Sequence, residues 1–169
     1  MDKPTQPRLS ARIVTEPLDL AQILSRILDT AGVLTASEAG AVLLHDPARK
    51  TLFFAGAVGS NAEFLLDRWG EDAVDQVPIA NSTAGRVFDS GEPLMENIIS
   101  TDTEHYKGVD GQTEGQTRSL LCVPLNVAGE RIGVIQVLNK RDGAYIQRDQ
   151  VVLEHIADLA AIAVRNSRL

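Results

Sequence analysis

The stretch RSLLCVPLNVAGERIGVIQVLNKRDGAYIQRDQ, residues 118–150, decides how the chain folds. Two apolar runs, 118–127 and 131–140, flank Ala128-Gly129-Glu130, whose turn chemistry reverses a chain tightly. They read as neighbouring antiparallel strands. The second run stops at Asn139-Lys140, and Asp142-Gly143 supplies another reversal. After Tyr145 the pattern becomes helical over 147–169, with Val151, Val152, Ile156, Leu159, Ala160, Ala163 and Val164 as the expected apolar face. Lys140 thus ends a buried strand and Asp149 opens a helix. Two readings stand for the pair. One is a solvated turn carrying an ion pair worth about 0–1 kcal/mol. The other is a clasp that ties the strand end to the helix start. Ile146 is a poor N-cap, so Asp149 would also meet the unpaired amides of the first helical turn.

Working outward, residues 1–8 hold two prolines and read as a disordered lead-in, and 9–169 reads as one domain. Leu20, Ile23, Leu24, Ile27, Leu28 and Ala31 recur at helical spacing over 18–35, and Pro17 suits the helix start. The runs 39–46 and 51–59 form a second hairpin around Asp46-Pro47. A short helix over 62–70 ends at Gly70. The segment 81–98 reads as a one-turn helix, a turn at Ser90-Gly91 and a short strand from Leu94 to Ile98. Residues 100–117 are polar and Gly-rich, a loop long enough to point to function. Helix, hairpin, insertion, hairpin and helix give an α+β domain with antiparallel pairing rather than βαβ crossovers.

Composition narrows the classes. With 16 Lys and Arg against 23 Asp and Glu, the net charge is −7 and no basic cluster occurs, which argues against nucleic acid or an anionic membrane as partner. No apolar run reaches the roughly 18 residues that span a bilayer. The single cysteine, Cys122, excludes an internal disulfide and fits a cytoplasmic location. Mid-strand between Leu121 and Val123, it is expected to be a small buried hydrophobe. His45, His105 and His155 show no metal-ligand spacing, and His155 is expected to be partly buried. Trp69, Phe53, Phe54, Phe64 and Phe88 read as core or pocket wall, and no carboxylate pair is placed for acid–base work.

The order of elements, with AGRVFDSGEPLMENI (84–98), RSLLCVPL (118–125) and GVIQVLNK (133–140), resembles the GAF family of small-molecule sensor domains over residues 18–167. HYKGVDGQTEGQTRSLLCVPL (105–125) is similar to the GAF domains of cyclic nucleotide phosphodiesterases and cyanobacterial adenylyl cyclases. That subgroup carries a motif of Asn-Lys, a gap, Phe, three residues and Asp-Glu. Here it stands as Asn139-Lys140, Tyr145 and Asp149-Gln150, with Tyr for Phe and Gln for Glu. The resemblance implies a central antiparallel sheet of about six strands, terminal helices on one face, and a ligand pocket on the other roofed by short helices and loops. It implies a Lys140–Asp149 salt bridge behind the pocket, and a homodimer through the terminal helices in a longer signalling chain. Ala84, Tyr106, Thr113 and Thr117 match positions that hold a phosphate or ribose, and Gln136 matches one that meets the base. The polar groups of the first two strands are replaced here by Ala41, Ala57 and Val58.

Chemically, an acidic protein must hold an anion with local donors, and helix N-termini and hydroxyls supply them. STAG (82–85) opens a short helix, which makes the amides of Thr83 and Ala84 candidates. Thr113 and Thr117, four apart, would share one face of a helical turn. Two functions follow. One is a regulatory sensor that binds a small molecule, cAMP or cGMP included, with no further cofactor, metal or catalytic group. The other is a GAF-shaped dimerisation module with a vestigial pocket. The polar loop favours the first. A free methionine sulfoxide reductase, a GAF-shaped enzyme, needs several reactive cysteines and has only Cys122 here. The last helix reaches Leu169 without a stop signal, which suggests an effector domain beyond it.

Overall fold

Strands buried on both faces read as unbroken apolar runs, and the two hairpins of this chain do so because helices cover both sides of the sheet. The computed structural model describes residues 19–97 and 117–168. In chain order these form α1 (Leu20–Thr35), β1 (Ser37–Asp46), β2 (Thr51–Val58), α2 (Ala62–Arg68), β3 (Val77–Pro78), α3 (Thr83–Ser90), β4 (Leu94–Glu96), β5 (Leu120–Val127), β6 (Glu130–Lys140) and α4 (Gln147–Ser167). The strands make one six-stranded sheet in the order β3-β2-β1-β6-β5-β4. Every pairing is antiparallel. The architecture is α+β, with the six-stranded antiparallel sheet and the paired terminal helices that the resemblance implies. Each hairpin forms locally, and β1 then joins β6 at the centre through seven register pairs from Ser37↔Lys140 to Leu44↔Gly133.

Local chemistry sets the ends of the elements. Ala128 and Gly129 both take positive φ, 50° and 81°, the geometry of a type I′ turn between β5 and β6. Asp19 caps α1: its carboxylate accepts from the Gln22 amide at 2.9 Å, and Gln22 Oε1 accepts from the Asp19 amide at 3.1 Å. The start of α1 is therefore a capping box, and Pro17 lies outside the described residues. The helix over 83–90 runs two turns, not one, because Ser82 caps it and Gly91 closes it at φ 75°.

Alternation along the strands divides the interior into two layers. On one face α1 and α4 pack together over Val42, Leu44, Leu121, Val123, Ile135 and Val137. On the other, α2 and α3 cover Ala41, Leu43, Phe54, Cys122 and Val134. The buried face of α4 differs from the expected one. It carries Leu153, Ile156, Ala157, Ala160, Ala161 and Val164, whereas Val151 is 43% exposed and Leu159 59% exposed. Small residues at 157, 160 and 161 let the helix approach its neighbours closely, and this outweighs the larger side chains a quarter-turn away. Phe64 and His155 are exposed rather than packed.

This rotation can be read in stability. Leu28→Ala, in a fully buried position, is expected to cost about 2–5 kcal/mol in chemical denaturation. Leu159→Ala should change the monomeric unit by no more than about 0.5 kcal/mol. Comparable losses at the two positions would contradict the orientation of α4.

Candidate functional site

The face opposite the terminal helices is built around α3. Ser82 Oγ accepts from the Gly85 amide at 3.0 Å and donates to the Pro78 carbonyl at 2.5 Å, which seats the helix start against the β3 segment. A Cβ at position 85 would lie 1.9 Å from the Ile79 carbonyl oxygen, so only glycine allows this approach. Thr83 and Ala84 follow in the first turn, where backbone amides have no helical carbonyl to meet. Both are buried, at 2% and 5% exposure. The Thr83 hydroxyl finds no hydrogen-bond partner among the described residues.

Gln136 lies on the same face of the sheet, 6% exposed, between Ala41 of β1 and Cys122 of β5. Its amide makes no side-chain hydrogen bond among the described residues. Thr83, Ala84 and Gln136 are thus brought into one layer, and Thr117 is half-buried just before β5. Tyr106 and Thr113 lie outside the described residues. Ala57 faces this layer with Ala41, but Val58 packs toward the terminal helices, since neighbouring strand residues point to opposite faces. Cys122 is fully buried as a packing residue, and burial pushes its thiol well above its ordinary range.

Behind this layer, residues 139–149 form a dense polar junction. Lys140 Nζ lies 2.7 Å from the Asp149 carboxylate, with side-chain exposures of only 16% and 7%. The same carboxylate oxygen accepts from the Ile146 amide at 2.9 Å, so Asp149 relieves the first turn that Ile146 cannot cap. Asn139 adopts φ 60° and its Oδ1 accepts from the Arg118 and Ser119 amides at 2.5 and 3.2 Å. The Lys140 amide donates to Ser119 Oγ at 3.0 Å. Tyr145 exchanges two bonds with Asn97: its amide donates to Asn97 Oδ1 at 2.6 Å and its carbonyl accepts from Asn97 Nδ2 at 3.2 Å. Its buried hydroxyl is 2.7 Å from Ser37 Oγ, which is 2.7 Å from Thr35 Oγ1. The junction therefore grips the chain at 97 and again at 118–119, and reaches the end of α1. Asn97, Ser119, Ser37 and Thr35 carry no sequence signal of this role, because their partners are distant in the chain.

A cavity of about 380 Å³ near the C-terminal end of α1 is lined by Asp29, Val33, Glu38, Val58 and Arg141 among others. It holds no unpartnered buried group: Ser37 is already bonded, and the exposed Glu38 pairs with Arg118 at 2.8 Å. The hydrogen bond from Arg118 holds the Glu38 carboxyl below its usual range.

The junction predicts two results. A double-mutant cycle on Lys140→Ala and Asp149→Ala should give a coupling above about 0.5 kcal/mol, more than solvated surface pairs yield. Asp149→Ala should be the costlier change, since it also frees the Ile146 amide; additive energies would mean that the contact contributes nothing. Cys122 should resist a thiol-reactive disulfide reagent in the native protein and react fully on unfolding. Rapid native labelling would show that the pocket face opens.

The sequence profile of the GAF domain matches residues 17–165. The probable 3',5'-cyclic phosphodiesterase pde-5 of Caenorhabditis elegans is 23% identical over 150 residues, 87% of this chain and 20% of that protein. The dual 3',5'-cyclic-AMP and -GMP phosphodiesterase 11 of Drosophila melanogaster is 34% identical over 99 residues, 56% of this chain and 7% of that protein. The chain thus spans a fifth or less of the length of these relatives. Among solved structures, the GAF domain from Acinetobacter phosphoenolpyruvate-protein phosphotransferase superposes with a TM-score of 0.71 at 15% identity, covering 99% of this chain and 97% of that one. Free methionine-R-sulfoxide reductase from Neisseria meningitidis, in complex with its substrate, gives 0.68 at 17% identity, with 93% and 84% covered. The profile match over most of the chain and the six-stranded sheet agree: the chain belongs to the GAF domain family of small-molecule-binding regulatory modules.

Proposed function

We propose that this domain is a non-enzymatic sensor that binds a cyclic purine nucleotide, cAMP or cGMP, between α3 and the adjacent sheet face. The observation that carries the reading is the buried Thr83 hydroxyl, without a hydrogen-bond partner among the described residues, in one layer with the buried side chain of Gln136. An unmade hydrogen bond inside a protein is costly, and a ligand with a polar group at the start of α3 would relieve the Thr83 hydroxyl. The amides of the first turn of α3 suit an anion such as a cyclic phosphate. The relatives named as cyclic nucleotide phosphodiesterases support the same class of ligand. Cys122 is the sole thiol and is buried, which does not fit reductase chemistry.

The signal leaves through the terminal helices, which form the face of a homodimer in this proposal. Val33, Leu34, Leu159 and Ile162 are exposed apolar residues on α1 and α4. The alternative function, a dimerisation module with a vestigial pocket, draws on the same residues and lacks a role for the orphaned Thr83 hydroxyl. No helix of the described residues is long and apolar enough to cross a membrane. A cytoplasmic location and an output domain elsewhere in a longer chain complete the proposal.

Thermal denaturation with cAMP and with cGMP tests ligand binding. Either nucleotide at 100 times its Kd should add about 2.7 kcal/mol of stability. Thr83→Val, which removes only the hydroxyl, should weaken the binding by about tenfold, the loss of roughly one hydrogen bond. No shift with either nucleotide would refute the reading. Sedimentation should give a dimer at about tens of micromolar, an ordinary affinity for such contacts. Leu159→Asp should convert it to a monomer with unchanged secondary structure.

A further inference from the structure

The two ends of α3 are held by different parts of the sheet. At its start Ser82 bonds to Pro78, and Gly85 lies against Ile79. Both partners belong to the segment just before the helix. That segment joins the sheet only at its edge, through Thr51↔Pro78 and Leu52↔Val77. At the other end the sequence denies the last carbonyls their usual partners. The Glu92 amide donates to Ser90 Oγ at 3.1 Å, and Pro93 has no amide hydrogen. Arg131, from the central strand β6, meets both carbonyls. Its Nη1 donates to Phe88 at 2.8 Å and to Asp89 at 3.2 Å. Gly91, at φ 75°, leaves room for this, since a Cβ there would lie 2.7 Å from Arg131 Cζ. The Phe88 ring also stacks on His45 of β1, with centroids 4.6 Å apart. The last turn of α3 carries no basic residue of its own. A guanidinium from β6 therefore meets the negative end of the helix dipole. Arg131 Nε is buried without a partner among the described residues, a cost that an apolar side chain at 131 would avoid.

We infer that Arg131 is a positioning residue of the ligand site: it docks the C-terminal carbonyls of α3 on β6 and so sets where the first turn of that helix stands over the sheet. The inference rests on the cyclic purine nucleotide reading and assigns to it a residue at the opposite end of the helix from the Thr83 hydroxyl. At 1.5 Å per residue the eight residues of α3 span about 12 Å. A helix this short moves as one body. A shift at its last carbonyls therefore carries the Thr83 hydroxyl and the first-turn amides with it. Hydrogen bonds are directional, so two of them from one planar group fix both the height and the rotation of the helix. Apolar packing alone would let it slide, and the segment before α3 has only two register pairs to resist. A lysine at 131 would keep the charge but lose the planar fork, and would hold the two carbonyls less firmly.

Amide hydrogen exchange and calorimetric titration of cAMP and cGMP, on the intact protein and on Arg131→Lys, Arg131→Met and Gly91→Ala variants, test this. In Arg131→Met the α3 amides should exchange at least about tenfold faster while the β1 and β6 amides keep their rates. The same variant should bind whichever nucleotide the wild type binds about tenfold more weakly, and Arg131→Lys should recover most of that loss. Gly91→Ala, which drives the guanidinium off the carbonyls, should reproduce both effects. It should weaken binding no further when Arg131→Met is already present. If Arg131→Met does not fold, Gly91→Ala decides alone. A residue that only stabilised the fold would speed exchange alike in α3 and in the sheet and leave the affinity unaltered. That result, or loosened α3 amides with unaltered affinity, overturns this inference and leaves the nucleotide reading standing. Absence of binding of both nucleotides to the wild type overturns both.

Discussion

An ammonium and a carboxylate, 2.7 Å apart and largely withdrawn from water, hold the last strand of this domain to its last helix. Such a pair is costly to desolvate and must be matched by further hydrogen bonds. The Ile146 amide provides one of these on Asp149. Because β6 is central in the sheet and α4 covers one side of it, the contact fixes how the longest strand and the longest helix meet. The neighbouring residues Asn139 and Tyr145 use that fixed frame to fasten the chain at 97 and at 118–119.

The two faces of the sheet solve different problems. The helix face is filled with branched aliphatic residues and leaves no polar side chain without a partner among the described residues. The opposite face contains fewer large residues near its centre and keeps the Thr83 hydroxyl without a partner among the described residues, beside the buried Gln136. A core selected only for stability would replace Gln136 by a leucine and Thr83 by a valine. Their presence costs stability, which the proposed function accounts for by ligand binding.

Much of this was legible in the chain because the signals are local. The turn at Ala128-Gly129, the run ending at Lys140 and the helix opening beside Asp149 all depend on near neighbours. The orientation of α4 was not legible, because it follows from the volume of Ala157 and Ala161 against other elements and not from the strongest hydrophobes. The face of Val58 depends on strand phase, which a short apolar run leaves ambiguous. Asn97 and Ser37 gain their roles from partners 48 and 108 residues away, and no spacing rule reaches that far. Thr83 and Gln136 were recognisable as positions, but the Thr83 hydroxyl's lack of a partner among the described residues is a property of the folded interior.

The hydroxyls of Thr35, Ser37 and Tyr145 have only one proton each, and this gives their chain a direction. Thr35 donates to the Ala31 carbonyl at 2.7 Å, so it can only accept from Ser37. Ser37, having donated, can only accept from Tyr145. All three bonds therefore point the same way, from the start of α4 to the last turn of α1. A phenylalanine at 145 would remove the first donor and leave Ser37 with a buried lone pair and nothing to accept. Positions 37 and 145 thus behave as one character: a serine in the first strand is comfortable only with a tyrosine before the last helix, and a phenylalanine there calls for an apolar residue at 37.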